Sequence, residues 1–221
     1  MNIARNLAEL RRAVPNHVKI IAVSKTKPVN LLQAAYDAGQ RAFGENYVQE
    51  LVEKHTELPS DIEWHFIGHL QTNKVKNIAP FVSYIHAVDS EKLLREIDKQ
   101  AEKNNRIIHC LLQFHIADED SKFGFQLHNY LEVIKAIPFD EFKNIKICGV
   151  MGMASFVQNQ LQIENEFSTL RNIFHQLKNE IFAQNDDFKE LSMGMSGDWP
   201  LAVDKGSTMI RIGSSLFGSR I

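Results

Sequence analysis

The 221 residues carry 25 Lys and Arg against 27 Asp and Glu, a formal charge of −2, so the surface lacks the strong positive field that nucleic acid or an anionic membrane would select. A chain of this length buries a sizeable core without staples, and its two cysteines, Cys110 and Cys148, lie far apart in apolar runs with no Cys-x-x-Cys spacing, which reads as buried thiols rather than zinc or redox chemistry. No stretch approaches the ~20 apolar residues of a membrane span, and the charged start MNIARNLAELRRAV is no secretory signal, so a cytoplasmic location is expected.

Along the chain, short apolar runs alternate with amphipathic ones. A helix is predicted over Ile3–Ala13, ahead of a first strand at Val18–Val23. Asn30–Ala38 then reads as a helix closed by Gly39, followed by a strand at Arg41–Gly44, a helix at Asn46–His55 and a strand at Glu63–Ile67. Thr72–Ala79 stops before Pro80; Val82–Ala87 is a strand; Ser90–Lys103 opens on an N-cap serine and places Leu93, Leu94, Ile97 and Ala101 on one stripe. The pattern continues with a strand at Ile107–Phe114, a helix at Leu127–Ala136, a strand at Ile145–Val150 and the longest helix, Leu161–Ala183. Strands at Phe188–Ser192 and Met209–Ile212 flank a helix at Trp199–Lys205. Most strands are Ile, Val, Phe and Leu runs without clean alternation, as in strands covered on both faces. Eight such strands alternating with helices predict an α/β fold, a single (β/α)8 TIM-type barrel with an extra N-terminal helix and one domain over 1–221. The alternative is an open doubly wound sheet; no Gly-x-Gly-x-x-Gly follows any strand to support its dinucleotide-binding version.

Function in such a barrel sits where the strands end. The first strand ends IIAVSKTKP, which puts Lys25 at the barrel mouth. Partial desolvation there favours the neutral amine that imine formation requires, while Lys27 is expected outside. Asn46, after the second strand, can cap the next helix and offer an amide to a ligand. His65 and His69 are four apart, but a strand and a turn lie between them, so no metal site is expected and His65 reads as a hydrogen-bonded or stacking residue. HIADEDSKFGF has calcium-loop acidity but Lys122 at the fifth position and Gly124 one residue late, so it reads as a solvated loop. The strongest segment is the C-terminus. Ser192 and Ser196 offer hydroxyls after the seventh strand, and Gly213, Ser214 and Ser215 open a short helical turn after the eighth, where barrels recurrently bind phosphate. Arg211, between Ile210 and Ile212, must meet a carboxylate, carbonyls or a ligand. A lysine, a phosphate site and an arginine beneath it are together satisfied by a phosphorylated carbonyl cofactor, pyridoxal 5′-phosphate (PLP).

The stretches IAVSKTKP, FGENYVQE, WHFIGHLQTNK, GVMGMAS, LSMGMSGD and GSTMIRIGSSLFGSR, in this order over nearly the whole chain, resemble the PLP homeostasis protein family (YggS/PROSC type). The resemblance implies a fold like the N-terminal barrel of alanine racemase. It implies Lys25 as the imine lysine, Asn46 along the cofactor ring, Arg211 at the pyridine nitrogen, and Ser192, Ser196, Gly213 and Ser214 around the phosphate. It further implies a carrier or regulator of PLP in vitamin B6 and amino-acid homeostasis, with no catalytic residues, a monomer that serves apo PLP-dependent enzymes. Ser214 stands where the family often has Thr; Trp199, Pro200 and His69 also depart from the usual residues. The competing expectation is an amino-acid racemase, which needs a second acid–base group; Tyr47 is the one tyrosine near a strand's C-terminal end.

Overall fold

The computed structural model describes residues 2–117 and 123–218. The chain opens with α1 (Ile3–Ala13), whose N-cap Asn2 accepts the Arg5 backbone N–H and whose Ile3, Leu7 and Leu10 are buried. Eight strands follow, β1 (Lys19–Val23), β2 (Ala42–Glu45), β3 (Glu63–Phe66), β4 (Tyr84–Val88), β5 (Ile108–Phe114), β6 (Ile145–Gly152), β7 (Glu190–Met195) and β8 (Met209–Ile212). The helices between and after them are α2 (Val29–Asp37), α3 (Val48–Glu57), α4 (Val75–Ile78), α5 (Glu91–Lys103), α6 (Tyr130–Lys135), α7 (Gln160–Glu180), α8 (Trp199–Asp204) and α9 (Ser214–Phe217). All strands pair in parallel in sequence order, and β1 closes on β8 through Lys19–Met209 to Ala22–Ile212. The sheet is therefore a closed (β/α)8 barrel, not the open doubly wound alternative.

Period-2 alternation divides the apolar residues into two cores. The larger lies between strands and helices and includes Trp64, Phe43, Phe167 and Phe188. The smaller fills the barrel with Ile21, Ala42, Ala87, Leu111, Cys148, Met151 and Met209. Both cysteines are free and buried, and burial raises their thiol pKa values, that of Cys148 to about 12. They are inert core residues, as expected from their context.

Several boundaries differ from the sequence pattern. The segment predicted as one helix at Thr72–Ala79 is a 3₁₀ turn, Thr72–Lys74, leading into α4. Helix α3 starts at Val48 with Tyr47 as N-cap, so Asn46 is not a cap. Strand β7 begins two residues later than predicted and runs on to Met195. In β6, Gly149 adopts φ +154°, and a Cβ there would stand 1.8 Å from the Glu190 carbonyl oxygen. Only glycine lets β7 pair with β6 from Glu190 onward. Among the described residues no helix is long and apolar enough to cross a membrane, and no cluster of His, Cys, Asp and Glu could hold a metal ion. Residues 118–122 of the acidic loop and 219–220 of the C-terminal motif lie outside the described residues.

Candidate functional site

At the C-terminal end of the barrel is a cavity of about 680 Å³ whose walls include Lys25, Asn46, Met153, Ser196, Asp198, Arg211, Gly213 and Ser214, and also Lys27, which the sequence pattern put outside. Six of the seven residues expected at a cofactor site thus share one cavity.

The lysine is set by the turn after β1. Thr26, a β-branched residue, sits at φ +61°, in the left-handed region that such side chains rarely enter and that costs on the order of 1–3 kcal/mol. Its neighbours hold it there. The Thr26 N–H donates to Glu50 Oε2 at 2.7 Å. Lys54 Nζ donates to Glu50 Oε2 at 2.8 Å, to Glu45 Oε1 at 2.7 Å and to the Ser24 carbonyl at 2.8 Å. The Ser24 hydroxyl donates to the same Glu45 oxygen at 2.7 Å. Glu45 and Lys54 are both buried. Burial raises the Glu45 pKa against the lowering effect of Lys54 and Ser24. The backbone on either side of Lys25 is thereby clamped to β2 and α3, and the strained turn carries Lys25 to the cavity wall.

Asn46 reaches the cavity because the chain before α3 passes close to the β3 turn. A Cβ on Gly68 would lie 2.3 Å from the Asn46 carbonyl oxygen, so glycine is required at that contact. The Asn46 side-chain oxygen is buried with no hydrogen-bond partner, a cost that a ligand donor would remove. Opposite, Ser196 Oγ accepts from the N–H of Gly213 at 3.1 Å and of Ser215 at 3.4 Å. Two backbone donors converging on one oxygen are the arrangement an oxyanion takes up. Helix α9 is a single turn, so these donors act individually rather than through a macrodipole.

Arg211 projects from the middle of β8 and is buried. Its Nη1 donates to Ser192 Oγ at 2.7 Å and its Nη2 to the Gly152 carbonyl at 2.9 Å. Burial lowers its pKa to about 10, opposed by the nearby Asp198 carboxylate, so the guanidinium is charged at neutral pH.

Ser192 is the seventh expected residue, and it lies elsewhere. It is fully buried, beneath Arg211 and bonded to His86, and is not part of the cavity wall. The longer β7 explains this: Ser192 is in mid-strand, not at a strand end. His65 is buried, stacked on Tyr84 with ring centroids 4.7 Å apart, and hydrogen-bonded to His86, whereas His69 stacks on Phe123. The two face different surroundings, as the strand-and-turn reading required. Tyr47 is 54% exposed and off the cavity. The sequence reasoning missed the Glu45–Lys54–Glu50 clamp, Asp198 and His86. An acidic residue closing β2 with lysine nine positions on was the available signal for the clamp.

The family model that this barrel matches, over residues 1–221, is that of the alanine racemase N-terminal domain. The chain is 38% identical to the pyridoxal phosphate homeostasis protein of Haemophilus influenzae over 100% of its own length and 97% of that protein, and 34% identical to that of Escherichia coli over 99% and 97%. It superposes on PipY of Synechococcus elongatus, solved with PLP bound, with a TM-score of 0.87 at 36% identity, covering 98% and 100% of the two chains. Alanine racemase from Bartonella henselae shares the fold, with a TM-score of 0.75 at 17% identity, and this chain spans 58% of it. The chain belongs to the pyridoxal phosphate homeostasis protein family.

Proposed function

We propose that this protein binds PLP in the cavity at the mouth of the barrel and carries or regulates it for vitamin B6 and amino-acid homeostasis, without significant catalysis of its own. The observation that carries the reading is the convergence of Lys25, Asn46, Arg211 and the Ser196–Gly213–Ser214 cradle on one cavity. PLP, when bound, supplies an aldehyde that an amine captures reversibly and an aromatic ring that can draw electrons. Lys25 and Lys27 both line the cavity, and Lys25, held in the turn directly after β1, is the amine assigned to this capture. Ser196, Ser214 and the N–H groups of Gly213 and Ser215 would hold the phosphate, with the Ser196 oxygen now in the position of an anion's acceptor. The orphaned Asn46 oxygen would take a donor on the ring's edge. PLP bound to PipY, a relative whose whole chain aligns with 98% of this one, supports this assignment.

Two features favour a carrier over a racemase. Arg211 offers the ring nitrogen a hydrogen bond while retaining its own proton at neutral pH, so it does not create the protonated ring that stabilises a carbanion. Racemisation also needs acid–base groups on both sides of the reacting carbon, and Tyr47, the one tyrosine considered for a second group, is exposed and does not line the cavity. In this reading the protein is a cytoplasmic monomer that passes PLP to apo PLP-dependent enzymes. The test is the absorbance spectrum of purified protein with PLP, followed by borohydride reduction and peptide mapping. A visible band that Lys25→Ala abolishes, with the label on Lys25, is expected. Label on Lys27 with Lys25 spared would overturn the assignment.

A further inference from the structure

A line of buried hydrogen bonds crosses the barrel interior from one end to the other. Glu63, the first residue of β3, is ion-paired with Lys19 at 2.7 Å at the end remote from the cavity. The same Glu63 oxygen meets His65 Nε2 at 2.6 Å. His65 Nδ1 meets His86 Nε2 at 2.9 Å, His86 Nδ1 meets Ser192 Oγ at 3.0 Å, and Ser192 Oγ accepts from Arg211 Nη1 at 2.7 Å. His65, His86, Ser192 and Arg211 are all buried.

The direction of each bond follows from the donor inventory. An ionised Glu63 only accepts, so neutral His65 carries its proton on Nε2, donates to Glu63 and accepts at Nδ1 from His86 Nε2–H. Neutral His86 then accepts at Nδ1 from the Ser192 hydroxyl. Arg211 can only donate, so Ser192 accepts from it, which agrees with this direction without imposing it, because a hydroxyl can accept a second bond. Burial keeps both imidazoles neutral by lowering their pKa values. His65 and Lys19 hold Glu63 ionised, with its pKa lowered to about 2. A line of neutral imidazoles pinned by an obligate acceptor at the Glu63 end has a single polarity.

We propose that Glu63 is a positioning residue for Arg211: acting through His65, His86 and Ser192 from the far end of the barrel, it fixes the hydrogen-bond direction of the interior and aims the guanidinium at the cofactor ring. The proposal rests on the PLP reading of the cavity. It differs from an ordinary structural role because it specifies two histidine tautomers and an effect on a ligand that Glu63 does not touch.

Nitrogen-15 NMR of the histidine side chains in the full-length protein reads the first half directly. Both His65 and His86 are expected as the Nε2–H tautomer at neutral pH, with or without PLP; either ring found as Nδ1–H or as imidazolium overturns the relay, whether or not PLP binds. Glu63→Met and Glu63→Gln test the second half. Methionine removes the acceptor, whereas glutamine keeps an oxygen that can accept from His65. Glu63→Met should release the tautomers from their single state, weaken PLP binding about three- to tenfold and move the visible band, and Glu63→Gln should restore all three. Released tautomers with unchanged PLP affinity and spectrum would overturn the positioning role. Absence of PLP binding in the unsubstituted protein would instead refute the cofactor reading and leave the tautomer result standing. If Glu63→Met does not fold, the tautomers of the unsubstituted protein still decide the polarity, and His65→Phe, which cuts the line next to Glu63, decides the positioning: unchanged PLP affinity and spectrum there refute it.

Discussion

Replacing Lys54 by methionine probes the clamp behind Lys25 with little change in side-chain length. The ammonium spends its three protons on Ser24, Glu45 and Glu50, with its side chain 7% exposed and that of Glu45 fully buried. Removing one partner of such a pair costs about 3–5 kcal/mol because the other charge is left in a poor solvent. Protonation of Glu45 limits the loss. At pH 7, keeping a proton on a carboxyl whose unfolded pKa is 4.5 costs about 3.4 kcal/mol, and at pH 5 about 0.7 kcal/mol. The Ser24 carbonyl, left without its donor, adds on the order of 1 kcal/mol at either pH. The sign follows: in the variant the folded pKa of Glu45 lies above the unfolded one, so its stability is lost as pH rises from 4.5 toward that folded value. Urea denaturation should therefore show the variant roughly 3–5 kcal/mol less stable than the unsubstituted protein at pH 7, with the gap narrowing by roughly 2 kcal/mol at pH 5. Adding Glu45→Gln should recover part of the loss. A deficit below about 1 kcal/mol at pH 7, or one equal at both pH values, would refute the account of this cluster as a desolvated ion pair.

The cradle of Ser196, Gly213 and Ser215 predicts that pyridoxal without its phosphate binds at least about 100-fold more weakly than PLP, the loss of two charge-assisted hydrogen bonds at roughly 1.5 kcal/mol each; equal affinities in a spectroscopic titration would remove phosphate from the site. His65 and His86 are buried with lowered pKa values, so the unfolded chain takes up protons below about pH 6.5 that the folded one refuses. Stability is then full above that pH and falls as pH drops below it, by up to about 2.7 kcal/mol per pH unit from this pair, and a urea midpoint that stays level from pH 7 to 5 would contradict their burial as neutral rings.

The fold was legible because strand and helix announce themselves locally. Apolar runs such as IIAV and MIRI, spaced by amphipathic stripes, locate all eight strands to within a few residues, and closure follows from their number and order. That Lys25, Asn46 and Gly213 share one cavity was legible for a similar reason: each lies just past a strand's C-terminal end, where the barrel offers one place for function, whereas Arg211 stood out as a charge between two isoleucines in a strand. The place of Ser192 was not legible, because its role depends on how far β7 runs: the strand extends to Met195, three residues past its predicted end, and pairing rather than local pattern sets that end. The clamp and the relay escaped for a deeper reason. Glu45 with Lys54, and His65 with His86, are long-range pairs whose meaning exists only once β2 lies beside α3 and β3 beside β4. His86 in YIHAV is, in sequence, just a polar residue in an apolar strand.

The relay also accounts for how a charge can sit inside this barrel and remain available. Among the described residues no carboxylate lies within ion-pair distance of Arg211. A direct bidentate partner would satisfy the guanidinium but would also occupy the fork that a ligand must use. Ser192 and the Gly152 carbonyl instead take one N–H from each terminal nitrogen, and the line through His86 and His65 ends on a carboxylate that lies at the other end of the barrel and is stabilised there by Lys19. Asp198 contributes at longer range. Neutral imidazoles fill the interval without adding charge to a low-dielectric core, where an unsatisfied polar group is costly. The result is an arginine fixed in direction, charged at neutral pH, and with N–H donors still to spend on what enters the cavity.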